Sequence, residues 1–175
     1  DATLTANYKN NSITLPTPTK TGHTFAGWYT NSECTESAGN AGEQYTPTKD
    51  TTLYAKWNVN KYKIDLNLSV DGKIYGRGYE DRIYVKLKVA GVDKGYVKDY
   101  NVEHDYGTKW EITGLKLDNV EIPYSASGTL GAENFTLIVY FYTITFNVNN
   151  GSYGTVSPTS LIVPNNNTKY TTSSN

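Results

Sequence analysis

Alternating apolar and polar residues predict β-strands along most of this chain. In residues 62–68 every second residue is apolar. Successive side chains of a strand point to opposite faces, so these apolar side chains would share one face. Residues 82–89 repeat the pattern and place Lys86 and Lys88 on the polar face. The pattern therefore predicts strands with one face in a core and the other in water.

Two further stretches indicate that these strands form a sandwich. Residues 109–117 alternate again, and residues 135–141 form a near-continuous apolar run, which is typical of a central strand. Asp71-Gly72 predicts a turn. Beyond a single turn at residues 33–38, no helix is predicted, because no stretch keeps a 3.6-residue apolar period. We expect the following side chains to face the core: Ile64, Leu66, Val85, Leu87, Ile112, Leu137 and Val139.

Composition supports an all-β fold. The 175 residues include 16 Tyr, 3 Trp and 15 Gly, and only 19% are charged. Aromatic residues favour half-buried pleated surfaces, and Gly favours turns. This length suits one large or two small domains. The net charge of −1 gives no field that would attract nucleic acid.

Three missing features limit what this chain can be. Cys34 is the single cysteine, so an internal disulfide is excluded. No apolar run approaches the roughly 20 residues that a membrane-spanning helix needs, so membrane insertion of this segment is not expected. Met is absent, including at position 1. We therefore expect the chain to be a piece of a longer protein.

The first segment carries a module signature. It reads LPTPTKTGHTFAGWYT, followed after a stretch rich in Gly and Asn by DTTLYAKW. These motifs, over roughly residues 13–57, resemble the Listeria–Bacteroides repeat family, also seen as the B-repeat of internalin-type surface proteins. The resemblance implies a β-grasp-like module, one of several in tandem, in an extracellular surface protein of a Gram-positive bacterium. It implies no reaction.

Three modules are expected along the chain. Residues 1–58 form the repeat, residues 59–141 an Ig-like β-sandwich, and residues 142–175 the opening half of another repeat, which the sequence YTITFNVNNGSYGTVSPTSLIVP resembles. In the family pattern a strand of the YTITFNV kind precedes the strand at residues 4–8, and it is missing here. We expect strand-mediated self-association, in which residues 142–148 pair with the first module of another molecule.

The aromatic residues allow two interpretations. Trp28, Tyr29 and Trp57 would suit a carbohydrate platform, since sugars stack on aromatic rings. The favoured interpretation is that Trp28, Trp57 and Trp110 are core residues, because a small module needs large side chains to bury enough area. Three tyrosines are expected in glycine-rich loops and are the candidate ligand contacts, because Tyr gives rigid contact area at low entropic cost: Tyr75, Tyr79 and Tyr96.

No catalytic, cofactor or metal site is predicted. His104 has acidic neighbours but no motif pairs it with a nucleophile, and His23 lies in a different segment. Neither has a second ligand at metal spacing. One alternating polar stretch would place oxygen ligands on one strand face, yet without a calcium-loop motif a solvated face is favoured. Its members are Asp99, Asn101, Glu103 and Asp105.

The sequence therefore predicts a non-enzymatic repeat region of a bacterial cell-surface protein, either wall-attached or secreted. It would act as an extracellular stalk and contact surface in adhesion or host interaction. Expected partners are a protein or glycan on a host or neighbouring cell, and adjacent modules of the same chain. The alternative is a carbohydrate-binding accessory module of a secreted glycan-degrading enzyme. Exposed, coplanar aromatic rings would favour that alternative.

Overall fold

Strands make up the regular structure of the computed structural model, which describes residues 2–6, 12–75, 81–145, 160–164 and 169–172. The all-β prediction is confirmed, whereas the β-grasp-like and Ig-like assignments stay predictions. Within the described ranges no helix is long and apolar enough to cross a membrane. The chain divides into two compact units, Asp1–Asn60 and Lys61–Asn175.

The first unit is built on an antiparallel sheet with the strand order β1-β6-β3-β4, beside the small pair β2-β5. Its core centres on Leu15, Trp28 and Leu53. The strands are β1 (Thr3–Ala6), β2 (Ile13–Thr14), β3 (His23–Tyr29), β4 (Ser37–Gly39), β5 (Gln44–Tyr45) and β6 (Thr51–Val59).

A bulge at Gly27 explains how β3 fills this core. The register against β6 shifts between Phe25 and Trp28, and Gly27 has a φ of +113° that other residues rarely adopt. The extra residue brings Phe25 and Trp28 to the same face, with ring centroids 5.6 Å apart. Strict alternation would have placed them on opposite faces.

The second unit contains two larger sheets. One has the order β10-β9-β12-β13, with β14 also paired to β12, and the other has the order β11-β7-β15-β16, with β17 on β15 and β8 on β7. The strands are β7 (Lys61–Val70), β8 (Lys73–Tyr75), β9 (Ile83–Val89), β10 (Val92–Val97), β11 (Tyr100–Asp105), β12 (Lys109–Leu117), β13 (Val120–Ile122), β14 (Ala126–Thr129), β15 (Phe135–Thr145), β16 (Ser160–Pro164) and β17 (Lys169–Thr172).

The core of the second unit lies where strand periodicity predicts it. Each of the seven side chains expected to face inward is buried. The apolar run of β15 is central, because this strand pairs with β7 on one side and with β16 and β17 on the other. Leu137 and Ile138 are both buried although they point to opposite faces. A strand buried on both faces cannot show strict alternation.

One predicted module boundary lies close to the division between the compact units, and the other falls inside a strand. The first compact unit ends at Asn60, two residues beyond the predicted end. The predicted boundary after residue 141 falls inside β15, whose last described residues pair with β16. Asp71 holds this part of β15, accepting bonds of 2.7 Å from the Thr143 backbone N–H and 2.6 Å from its hydroxyl. The division into three modules stays a prediction, and parts of the predicted strands at 4–8 and 142–148 lie outside the described residues.

Candidate contact surfaces

Two of the three tryptophans are core residues. Trp28 and Trp110 are each 2% exposed. The Trp28 indole donates a 2.9 Å hydrogen bond to the carbonyl of Pro16, and the Trp110 ring stacks on Phe135 at 5.5 Å. Neither ring is available to a ligand, so the prediction that both are structural is confirmed.

Trp57 differs from the other two, and its predicted place in the core is corrected. The ring is half-buried, packs edge-on against Phe25 at 5.6 Å and lies 5.9 Å from the ammonium of Lys20. Its indole nitrogen is buried and makes no hydrogen bond. Within β6, the printed pairs with β1 cover residues 51–54, and no described strand lies beside Trp57 on that side.

Tyr96, a predicted ligand contact, contacts its own chain. It belongs to β10 rather than to a loop, and its ring lies 5.8 Å from the Lys86 ammonium and 5.0 Å from that of Lys116. Partial burial, and then a hydrogen bond to Glu121, raise the pKa of its phenol. The other two candidates are not brought into this cluster: Tyr75 lies at the end of β8, and Tyr79 lies outside the described residues.

The polar stretch at residues 99–105 ends in β11, which lies at the edge of its sheet. Its acidic residues are exposed, and Asn101 donates a 3.0 Å hydrogen bond to Asp65 on β7. His104 is half-buried and bonds Tyr100 at 2.7 Å through Nε2. Burial lowers its pKa, and the nearby Lys94 lowers it further. Among the described residues, no group of three or more His, Cys, Asp or Glu side chains could hold a metal ion.

The end of β6 forms an edge that no described strand covers beyond Ala55, and the sequence analysis did not predict it. On one side, β3 pairs with β6 as far as His23 and Val59. On the other side, the Ala55 N–H of β6 donates a 3.1 Å hydrogen bond to the carbonyl of Ala2, which precedes β1. Backbone groups alternate in direction along a strand. The N–H and C=O groups of Trp57 and Val59 therefore point to the same side as those of Ala55, where no described strand meets them.

A trough of about 570 Å³ runs along this edge. It takes residues from both faces of β6, as the open edge of a strand does. Its lining includes three basic side chains and no carboxylate among the described residues. The lining residues are Ala2, Thr3, Lys20, His23, Ser32, Cys34, Tyr54, Ala55, Lys56, Trp57 and Val59.

The trough was missed because residues 58–60 look like a polar joint between modules. The structure instead extends β6 through Val59, which is 45% exposed at the open edge. The only sequence signal was an apolar residue at an otherwise polar joint. The pairing of β6 with β3 brings distant segments together, and alternation within one segment does not report such pairing.

Comparison with known proteins identifies the first unit. Residues 1–56 match the family model of the Listeria-Bacteroides repeat domain. The resemblance seen in the sequence is therefore confirmed for this segment, and the first unit is a Listeria-Bacteroides repeat.

Three curated relatives extend this finding. Internalin H of Listeria monocytogenes is 30% identical over 135 residues, which is 75% of this chain and 22% of that protein. Two Evansella cellulosilytica proteins are named as candidate membrane proteins. One is 42% identical over 59 residues, 33% of this chain and 9% of its own. The other, named as Gly-rich, is 44% identical over 104 residues, 49% of this chain and 11% of its own.

The chain thus spans less than a quarter of the length of any of these three relatives. No solved structure matches it at a significant level.

Proposed function

We propose that this chain is a non-enzymatic part of the repeat region of a bacterial cell-surface protein, outside the cell, acting as stalk and contact surface in adhesion or host interaction. The similarity to Internalin H carries the proposal. It covers 75% of the chain, whereas the first unit holds only 60 of the 175 residues. The similarity therefore includes part of the second unit as well as the repeat.

The two units are joined by a short connection. Asn60 alone separates β6 from β7. Its N–H donates to the Gly22 carbonyl at 2.9 Å, and its side chain accepts a 2.6 Å bond from Thr24. The chain is rich in Thr and Asn and has a net charge of −1, so it produces no strong electrostatic field around it.

The experiment is a replacement in the parent protein on living cells. Deletion of residues 1–175 is expected to reduce attachment of the bacterium to host or neighbouring cells. An unrelated β-module pair of matched length is then inserted in place of the chain. Recovery of attachment indicates a stalk, and failure to recover indicates a contact surface for a protein or glycan. Unchanged attachment after deletion would overturn the proposal.

Self-association through exposed strands belongs to the same proposal. Tyr142 and Ile144 are 48% and 44% exposed on β15, beyond its pairing with β7. Exposed apolar strand ends favour pairing with another chain. Light scattering is expected to show an average mass that rises with protein concentration. A constant monomer mass would exclude self-association.

The carbohydrate-binding alternative loses support because Trp28 and Trp110 are buried. A sugar platform needs exposed rings in one plane, and only Trp57 is partly exposed. Iodide quenching of tryptophan fluorescence tests this directly. We expect partial quenching that disappears in Trp57→Phe. Strong quenching that survives this substitution would restore the alternative.

A further inference from the structure

A hollow on one sheet of the second unit has the features of a sugar-binding site. It lies where β12 bulges at Thr113 and where the strand beside β12 changes from β13 to β14. We propose that this hollow, called the β12 notch, binds an uncharged glycan through hydrogen bonds. This site would deepen the proposed function, on which it rests, by giving the contact surface a class of ligand. No tryptophan is among the described residues that line it, so the burial of Trp28 and Trp110 does not bear on this site.

Strand pairing creates the notch. The register of β12 against β9 shifts at Thr113, which is an extra and exposed residue, as in a β-bulge. On the opposite side of β12, β13 pairs with residues 115–117 and β14 with residues 109–112. The ladder is therefore interrupted beside the bulge, and residues 123–125 span the interruption. All of these residues lie within the continuous described range 81–145, far from both ends of the sequence.

Two adjoining cavities make up the notch, and they share Thr113 and Ser125. Their volumes are about 500 Å³ and about 490 Å³, and pockets for small ligands measure roughly 300–1,000 Å³. Because the cavities adjoin, they suit a ligand built of successive units, such as an oligosaccharide. The lining residues are Thr113, Pro123, Tyr124 and Ser125 in the first cavity, and Glu111, Ile112, Thr113, Ser125, Ala126 and Ser127 in the second.

Hydroxyl groups dominate the polar lining of the notch. Thr113, Ser125 and Ser127 are exposed, and in the described part of the chain none of their hydroxyls bonds a protein group. Their neighbours Tyr124 and Ala126 pack against the core. Both serines therefore lie on the outer face of the sheet. Sugar hydroxyls and these groups can each donate one hydrogen bond and accept two, so the row matches a sugar better than an apolar ligand.

Charge in the notch favours an uncharged sugar. Among the described lining residues, Glu111 is the one side chain that is charged at neutral pH. Its carboxylate lies 3.4 Å from the Lys88 ammonium on the neighbouring strand, which balances the charge. An acidic glycan would place like charge beside Glu111, with no cation in the described lining to offset it. The exposed ring of Pro123 adds an apolar wall against which the C–H groups of a sugar can pack.

The test uses the full chain and matched pairs of oligosaccharides. The uncharged probes are oligomers of glucose, galactose and mannose, and the control for each is the oligomer of the corresponding uronic acid. Backbone amide signals are followed by NMR during titration. We expect at least one uncharged probe to shift the Thr113, Ser125 and Ser127 amides, with its acidic control binding at least about tenfold more weakly. Added salt should leave the binding of the uncharged probe unchanged, because no ion pair forms with it.

Matched threonine substitutions locate the site. Thr113→Val removes a hydroxyl and keeps the shape of the side chain, so the loss of a hydrogen bond should weaken binding about three- to tenfold. Thr129→Val is the control, because Thr129 is exposed on β14 and does not line the notch. That substitution should leave binding unchanged. Ser125→Ala, in both cavities, should weaken binding by a similar factor and decides the outcome if Thr113→Val fails to fold.

Any of three results would overturn the proposal. These are no shift of the notch amides with every uncharged probe at millimolar concentration, equally tight binding of a probe and its acidic control, and equal effects of Thr113→Val and Thr129→Val. The attachment assay distinguishes this failure from failure of the proposed function. Reduced attachment on deletion without binding of any probe would remove the glycan site alone. Unchanged attachment together with binding at the notch would remove the proposed role in adhesion and leave the site.

Discussion

Substitution of Gly128 tests the packing of the second unit most sharply. Gly128 on β14 lies opposite Trp110 on β12. A Cβ added there would lie 2.5 Å from Cζ2 and 2.8 Å from Cε2 of the Trp110 ring. Carbon atoms in favourable contact are about 3.5–4.0 Å apart, so Gly128→Ala creates an overlap of roughly 1 Å with a fully buried ring.

The ring has little room to yield, because Trp110 stacks on Phe135 and sits in the main core cluster. Overpacking of this kind costs about 1–3 kcal/mol. Replacing a glycine by alanine also lowers the conformational entropy of the unfolded chain, which stabilises the folded state by about 0.4–1 kcal/mol. The φ of Gly128 is not positive, so Ala adds no backbone strain. We expect Gly128→Ala to lower the free energy of unfolding by about 1–2 kcal/mol.

Hydrogen exchange of the β9 and β12 amides is the suitable assay, because it reports opening of the second unit separately from the first. Gly131→Ala is the matched control: its added Cβ meets nothing within 4 Å, and its φ is not positive either. That control should be neutral or slightly stabilising. In a Trp110→Phe background the Gly128→Ala cost should shrink, since the overlapping ring atoms are gone. Equal effects of Gly128→Ala and Gly131→Ala would refute the steric argument.

Three further predictions follow from single contacts. Trp28→Ala should cost about 3–5 kcal/mol, and Trp57→Ala clearly less, as measured by thermal unfolding; equal losses would contradict the difference in burial. The Thr143 hydroxyl, then its backbone N–H, lower the pKa of Asp71, so the stabilisation is present above the ordinary Asp pKa and lost as pH falls through the folded pKa. Asp71→Asn should therefore be less stable at neutral pH, with a difference that shrinks in acid during urea unfolding; a constant difference would refute the link. Lys86→Glu, on the outer sheet face, should cost under about 0.5 kcal/mol, and a larger loss in denaturant unfolding would mean that Lys86 has a buried partner.

Part of the candidate site could be predicted from the sequence. The repeat motif and the structural roles of Trp28 and Trp110 were predicted, because large aromatic residues in a small module have few places outside the core. The environment of Tyr96 was not predicted. Lys86 and Lys116 belong to β9 and β12, and only the assembled sheet brings them beside that ring.

The sequence alone determined the all-β class and the inward face of β7 and β9, because side-chain alternation is a local property of a strand. It also determined the repeat family, whose motifs are contiguous in the chain. Tertiary structure alone decided that Trp57 is half-buried and that Lys86 and Lys116 lie beside the ring of Tyr96. The reason is physical: the surroundings of a side chain in a sheet depend on which strands pair beside it, and those strands come from distant parts of the chain.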